Sequence, residues 1–360
     1  KTSFAGTEKF VWKLASLMKK NGIDVECSSP ADEVNYHGVP HKKLKGISLP
    51  IDEVYIRKMM DTKGVIETVK FFSDSLSSYA KNNPKDLYII NSPLFCLCSK
   101  DLHAILVLHD NPNELINYFG QKNADEFMGI IKNNVKCPII TPSSYYQEIF
   151  GNELGLKITT IPHSLDPKVL EMIDKIKMGL TKFTSTLEKV ILVPSRLEPR
   201  QKGQDLVIQA VSKVLERGSD RKVTIKLSGL DETYKENAIS LRELSERLRV
   251  NVEIGNYGNI LEEIAKADLV CLPSRYESFG YAAQESIALG KITILSDIPT
   301  YKEISLDAPN AHLFESESVD GLASKIFNYL KDDNVNFYPP SKWYYRYDPD
   351  EWVAKYIAFI

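Results

Sequence analysis

Between Lys189 and Leu295, short apolar runs of strand length alternate with amphipathic stretches of helical length. The spacing predicts strands over Lys189–Pro194, Lys222–Leu227, Val252–Ile254, Leu269–Leu272 and Ile292–Leu295. Helices are predicted between them, over Gln204–Arg217, Thr233–Leu248, Ile260–Ala267 and Tyr281–Leu289. Such alternation implies parallel strands joined by right-handed helical crossovers. The first half repeats the pattern less regularly. Phe10, Val11, Leu14, Leu17 and Met18 recur at helical steps, and Asn21-Gly22 ends that helix before a short strand at Ile23–Cys27. A helix is expected over Thr62–Asn82 and another over Ser143–Phe150, with strands at Leu87–Asn91, His103–His109, Pro138–Thr141 and Ile158–Ile161. Residues 30–60 and 110–135 read as loops. The stretch Asp166–Leu187 has no strand signal and reads as a linker containing a helix.

The expectation is an α/β protein with two Rossmann-like doubly wound domains facing across a cleft. Their bounds would be 1–167 and 187–340, with a linker at 168–186 and a final helical segment, 341–360, packing back on the first domain. A length of 360 residues suits two domains of about 150 residues each. Ligands of such sheets bind at the carboxyl ends of the strands.

Charge excludes one function class. Lys and Arg total 45 against 48 Asp and Glu, a formal net charge of −3, without the basic excess of a nucleic-acid protein. No apolar run approaches the roughly 18 residues of a membrane span. The five cysteines form no CxxC pair, which argues against a disulfide framework or zinc site and suits a reducing compartment such as the cytoplasm.

The chemistry concentrates in the second half. After the Leu269–Leu272 strand comes Pro273-Ser274-Arg275-Tyr276-Glu277-Ser278-Phe279-Gly280, then a helix carrying Glu285. Glu285 lies about one turn inside that helix, so both carboxylates can face one ligand. Between them, Ser278 to Tyr281 offer backbone N–H groups at a helix start, a natural anion site. Two polyol-binding acids flanking a phosphate site suit a nucleotide sugar. Taken alone, the same spacing is better explained by a solvated loop residue and a helix-face charge. A second cluster follows the Lys189–Pro194 strand: Ser195-Arg196-Leu197-Glu198-Pro199-Arg200-Gln201-Lys202-Gly203. Arg196 and Lys202, with Arg200 as a less certain third, would place fixed cations where a diphosphate leaving group needs them.

The ordered set Ser195-Arg196-Leu197, Lys202-Gly203, Ala267-Asp268, Pro273 to Gly280, Glu285 and Gly290 resembles family 4 of the retaining glycosyltransferases, the glycosyl transferases group 1. Weaker likeness extends to Ala5-Gly6-Thr7-Glu8-Lys9, to His109-Asp110 and to Ile161-Pro162-His163-Ser164-Leu165-Asp166. The resemblance implies a GT-B fold with the donor held mainly by the second domain. It implies that Arg196 and Lys202 bind the donor diphosphate, that Glu277 contacts the donor sugar and that Glu285 binds the ribose. Ser278, Phe279 and Gly280 would present backbone to phosphates and sugar. Gly6 would approach the donor phosphates, and His109 would contact sugar or acceptor. A satisfied strand-end histidine is the competing account of His109.

The implied activity is transfer of a hexose, with retention and without a metal, from a nucleotide-diphosphate sugar to a hydroxyl on a glycan, lipid-linked or protein-linked acceptor. The leaving diphosphate would assist in a front-face path. No cofactor is implied, and a UDP-sugar is preferred over a GDP-sugar. The competing readings are an inactive nucleotide-sugar-binding subunit and a nucleotide-sugar epimerase. Three departures from the family pattern are Ala5 for a glycine, Ile292 for a proline and His163-Ser164 for Asn-Gly or His-Gly.

Other features weigh less. Asp348-Pro349-Asp350 reads as a helix cap rather than a metal-binding D-x-D. Cys96, Cys98 and His103 fit no usual zinc spacing. Tyr145 and Tyr146 read as packing residues. His41-Lys42-Lys43-Leu44-Lys45 fits a solvated loop better than a peripheral contact with anionic lipid. The fold also calls for a strand of about five to eight residues upstream of the Ala5-Gly6 loop.

Overall fold

The computed structural model describes residues 6–29, 35–36, 39–44, 53–110, 112–179, 188–218, 222–230, 232–331 and 341–360. The chain divides into two compact units, one of Lys1–Ser164 with Pro349–Ile360 and one of Leu165–Asp348.

In the first unit, β1 (Cys27–Ser29), β2 (Asn35–Tyr36) and β3 (Val39–Lys43) form a small sheet in which β3 lies between the other two. A second sheet is fully parallel and runs in chain order: β4 (Tyr88–Ile90), β5 (Ala104–Val107), β6 (Ile139–Thr141) and β7 (Ile158–Thr160). β5 and β6 are buried at every position, as expected for strands covered on both faces. One face packs Ile105, Val107 and Ile140 against Phe10, Leu14, Leu17 and Met18 of the Gly6–Lys20 helix. Trp352, Val353 and Tyr356 of the Pro349–Ile357 helix complete that cluster. The helix Ser144–Leu154 starts on a Ser143 cap, whose Oγ accepts from Tyr146 N–H at 3.2 Å, and ends on Gly155 in the left-handed region.

Several first-half elements differ from expectation. The helix expected over Thr62–Asn82 is Val65–Asn82, which starts after Gly64 at φ 90°, and a further helix, Glu53–Lys63, precedes it, mostly within the 30–60 stretch read as a loop. The 110–135 stretch, read as a loop, holds the helices Pro112–Phe119 and Gln121–Asn134. Cys27–Ser29, rather than Ile23–Cys27, is the paired strand.

The second unit holds one parallel sheet of six strands: β8 (Glu188–Val193), β9 (Lys222–Leu227), β10 (Asn251–Ile254), β11 (Leu269–Leu272), β12 (Thr293–Ser296) and β13 (Ala311–Phe314). Their order is β10-β9-β8-β11-β12-β13, the Rossmann arrangement of two mirrored halves. Residues 168–186, read as a linker, contain most of the helix Pro167–Lys177, which starts on an Asp166 cap. Its Val169, Met172, Ile173 and Ile176 belong to this unit's core; residues 180–187 lie outside the described residues. The final segment splits. Trp343 of the Ser341–Arg346 helix is buried in the second unit's core, while the Pro349–Ile357 helix belongs to the first unit.

Candidate active site

The strand order reverses between β8 and β11. From β8 the chain moves on to β9 on one side, and from β11 it moves to β12 on the other. The loops leaving the two carboxyl ends therefore diverge and leave a crevice, the usual ligand position in such sheets. These loops are Pro194–Gly203 and Pro273–Gly280, the same two segments that carry the charged motifs.

Close backbone packing joins them. Pro199–Lys202 forms one helical turn ending at Gly203, φ 66°, ψ 25°. A Cβ on Gly203 would stand 2.2 Å from the Pro273 carbonyl oxygen, so only glycine fits there. Arg275 fastens the same junction. Its backbone N–H donates to Gln201 O at 2.7 Å. Its guanidinium bonds the Pro199 carbonyl, grips Asp205 through two contacts of 3.2 Å and reaches Glu317 at 2.6 Å. From β9, Gly229 at φ 84° closes against the first loop, where a Cβ would lie 2.5 Å from Ser195 O.

Within this frame Lys202 Nζ donates to Glu277 Oε1 at 2.7 Å, with the two side chains only 11% and 13% exposed. The same oxygen accepts from Ser274 Oγ at 2.9 Å and from Tyr301 OH at 3.2 Å. Thr300 Oγ1 donates to the Glu277 carbonyl at 2.7 Å. Arg196 is placed differently. Its side chain is half exposed, bonds Gln201 Oε1 at 3.1 Å and Tyr234 OH at 3.4 Å, and lies 3.3 Å from Glu198 Oε2. Arg200 is exposed.

Past Glu277, Ser278 is half-buried and the Phe279 side chain enters the core, edge-on to Tyr281 and Tyr347. Gly280 takes φ 84°, and the Tyr281–Ala288 helix starts after it with no side-chain cap. Ala283 and Gln284 N–H donate to the Gly280 carbonyl at 3.0 and 3.1 Å, and the Tyr281 and Ala282 N–H groups before them have no acceptor within the helix. Glu285 is buried on this helix. Asp268, by contrast, serves the scaffold. Its carboxylate accepts from Val190 N–H at 2.8 Å and from Lys189 Nζ at 3.3 Å, tying β8 to β11. Nearby Lys291 is buried, donates to Ala267 O at 3.0 Å and has its pKa pushed down to about 8 by desolvation.

In the first unit His109 follows β5 and is buried, its Nε2 3.5 Å from Asn91 Oδ1. Its ring meets Phe10 edge-on at 4.8 Å and lies 5.6 Å from the ring of His163. Desolvation pushes the His109 pKa down to about 4 and holds His163 well below its ordinary value, with His109 and Lys13 adding to the second shift. Lys13 donates to the Ser164 carbonyl and sits over the Trp352 ring. Gly6 opens the Gly6–Lys20 helix; Ala5 lies outside the described residues.

Residues 182–339 match the sequence profile of the glycosyl transferases group 1. The second unit belongs to this family. The chain is also similar to a phosphatidyl-myo-inositol mannosyltransferase of Mycolicibacterium smegmatis, 24% identical over 41% of this chain and 37% of that protein. An uncharacterized glycosyltransferase of Methanocaldococcus jannaschii is 27% identical over 83% of this chain and 76% of its own length. The chain spans between 37% and 63% of the length of the first three curated relatives it matches. Among solved structures, Anabaena Alr3699/HepE in complex with UDP and glucose superposes with a TM-score of 0.72, at 19% identity, covering 100% of this chain and 98% of that one. Sucrose-phosphate synthase of Thermosynechococcus elongatus gives 0.71 at 16% identity, covering 99% and 91%. The fold is GT-B.

Of the residues singled out from the sequence, the group 1 domain brings Lys202 and Glu277 into contact and places Arg196, Ser278, Gly280 and Glu285 on the same two loops and the following helix. His109 and Gly6 belong to the other unit. Sequence reasoning missed Tyr301, and it quoted Ser274 and Arg275 without giving them a task. Arg275 stands two residues before Glu277, so its position alone offered a signal; Tyr301 offered none. Cys96 and Cys98 are buried, and burial pushes the Cys96 thiol up to about 12. Tyr146 is buried and donates to Glu114 Oε2 at 3.1 Å. His41 is buried against Ser29 Oγ at 2.8 Å, Lys42 and Lys43 are exposed, and Lys45 lies outside the described residues. Among the described residues no group of three or more His, Cys, Asp or Glu could hold a metal, and no helix is long and apolar enough to cross a membrane.

Proposed function

We propose that this protein is a retaining glycosyltransferase that moves a hexose from a nucleotide-diphosphate sugar to a hydroxyl acceptor. The observation that carries the reading is the Lys202–Glu277 pair at the strand-order reversal, next to an uncapped helix start. Lys202 has three N–H groups and uses one on Glu277, which leaves two for phosphate oxygens. The helix start adds backbone donors and the positive end of its dipole. Glu277 Oε2, which no donor among the described residues reaches, is the acceptor for a sugar hydroxyl.

In the front-face path, the acceptor oxygen bonds to the anomeric carbon on the side from which the diphosphate leaves. The bond from that carbon to phosphate oxygen breaks and its electron pair goes to the diphosphate. The acceptor's proton ends on a diphosphate oxygen. Lys202 and Arg196 stabilise the charge that develops there, and positive charge preorganised in a buried site is worth more than in water. The path asks for no cofactor and no metal. Glu285 takes the ribose hydroxyls, Ser278, Phe279 and Gly280 present backbone to the phosphates and sugar, and Gly6 approaches the donor phosphates. His109 contacts sugar or acceptor as a neutral imidazole, since burial keeps it deprotonated at neutral pH.

UDP is the favoured carrier, in keeping with the UDP and glucose named for the Anabaena structure. The acceptor is a glycan or a lipid-linked or protein-linked sugar, and the reaction takes place in the cytoplasm. Exposed Lys42 and Lys43 would support a peripheral contact with anionic lipid if the acceptor is lipid-linked. A binding panel of UDP-glucose, GDP-mannose and ADP-glucose, followed by donor hydrolysis and an acceptor screen, tests the reading. Binding with turnover supports it. Binding without turnover in either assay would show an inactive nucleotide-sugar-binding subunit instead.

A further inference from the structure

We propose that Tyr301 is a positioning residue for the transfer: it locks Glu277 through Oε1 so that Oε2 is presented to the donor sugar. The inference rests on the donor-site reading above. Tyr301 lies on the Pro299–Ser305 helix after β12 and is 1% exposed. Its hydroxyl stands 3.1 Å from Ser274 Oγ and 3.2 Å from Glu277 Oε1. Ser274 Oγ stands 2.9 Å from the same carboxylate oxygen. A tyrosine hydroxyl has one proton and a serine hydroxyl has one. Whichever oxygen Tyr301 addresses, the triangle delivers a proton to Oε1, directly or through Ser274.

The ring is as constrained as its hydroxyl. Tyr301 Cε1 would be 2.7 Å from a Cβ on Gly280, so the aromatic face fills the space that glycine leaves open. Thr300, the preceding residue, holds the Glu277 main chain through its carbonyl. One short helix thus fixes Glu277 by backbone and side chain and touches the start of the Tyr281–Ala288 helix. Burial and the adjacent carboxylate raise the Tyr301 pKa well above its ordinary value, which keeps the hydroxyl a donor. A carboxylate held on one oxygen by Lys202 and by the Ser274–Tyr301 hydroxyl pair is preorganised, and small errors in such placement are costly in rate.

The test uses the full chain, with UDP against UDP-glucose, GDP against GDP-mannose and ADP against ADP-glucose as probe pairs. Tyr301→Phe removes the hydroxyl and keeps the ring on Gly280. The expected result is a kcat about tenfold lower, the loss expected when a hydrogen bond to a charged group is removed. Affinity for the free nucleoside diphosphate stays within about twofold, while the additional affinity conferred by the sugar falls by about tenfold. Ser274→Ala shows the same split, and Lys302→Ala, an exposed neighbour paired with Asp297, matches the wild type. Equal weakening of nucleotide and nucleotide sugar would reduce Tyr301 to a packing residue and overturn the proposal. Unchanged kcat and sugar affinity in Tyr301→Phe overturn it as well, with the donor-site reading left standing. If Tyr301→Phe does not fold, the same split in Ser274→Ala supports the proposal and its absence there overturns it. A wild-type protein that binds none of the probes overturns the donor site and the positioning role together.

Discussion

At the carboxyl ends of β8 and β11, the second unit holds a nearly buried ion pair, Lys202 with Glu277, and surrounds it with donors from Ser274 and Tyr301. At the carboxyl end of β5, the first unit buries His109 beside His163 and Phe10 and pushes both imidazoles toward the neutral form. The carboxyl ends of strands in the two parallel sheets thus solve burial in opposite ways. An ion pair in a low-dielectric crevice keeps strong fields available for a charged ligand, at the cost that neither partner can be removed alone. A neutral imidazole among aromatics offers hydrogen bonds without a field. The contrast predicts that the second unit governs donor chemistry and that the first unit's site responds to pH instead.

Removing one partner of the pair should have the largest effect. Lys202→Ala strips the leaving group of a buried cation, and losses of about 10²–10³-fold in kcat are typical for such a stabiliser. It also leaves the nearly buried Glu277 without its counter-ion, a loss of about 3 kcal/mol in the stability of the second unit. Hydrogen exchange should show faster opening of β8 and β11 while β5 and β6 keep wild-type protection. Equal loosening of both sheets would break the comparison. Next in size is a matched pair of glycines. Gly203 and Gly155 have nearly the same left-handed backbone, φ 66°, ψ 25° and φ 64°, ψ 26°. A Cβ on Gly203 meets Pro273 O at 2.2 Å, whereas one on Gly155 meets nothing within 4 Å. Gly155→Ala should therefore cost about 1 kcal/mol, the left-handed penalty alone. Gly203→Ala should cost about 3 kcal/mol and lower donor affinity, because the backbone that aims Lys202 must shift. Urea unfolding of both variants, with donor binding alongside, checks the difference.

The same contrast explains what could be read from the residues alone. β8 and β11 carry continuous apolar runs, Val190–Val193 and Leu269–Leu272, and strands buried on both faces leave that trace; β9 instead alternates Val223, Ile225 and Leu227 with polar residues, which is also a strand period. β13 was missed because Ala311–Phe314 is four residues long and includes a histidine. In the first unit, Leu115 and Phe119, then Phe127, Ile130 and Ile131, form proper helical faces. Gly120 interrupts them and Asn and Lys residues dilute them, so the stretch reads as a loop. Lys202 and Glu277 were legible because each sits at a fixed offset from a strand end. Tyr301 reaches Glu277 from 24 residues further along, through a contact that exists only once β12 has been laid beside β11. No local pattern carries such information.

The third effect concerns acid and falls below that of Gly203→Ala. His109 has a folded pKa of about 4 against an ordinary 6.5, so between those values the unfolded chain binds the proton that the folded chain refuses. Its contribution to stability is complete above pH 6.5 and is lost as pH falls toward 4. Between pH 7 and pH 5 this one residue should remove about 2 kcal/mol from the first unit. His163, shifted the same way, adds to the loss. His109→Gln, which keeps a polar side chain but cannot take up the proton, should flatten the pH dependence over that window. Hydrogen exchange of β5 and β6 at pH 7 and pH 5, in wild type and variant, reads it directly. The β8 and β11 amides should show no difference between the two proteins at either pH. An unaltered slope for β5 and β6 in the variant would mean that His163 alone carries the acid response, and that His109 has more access to water than its burial among Phe10 and His163 allows.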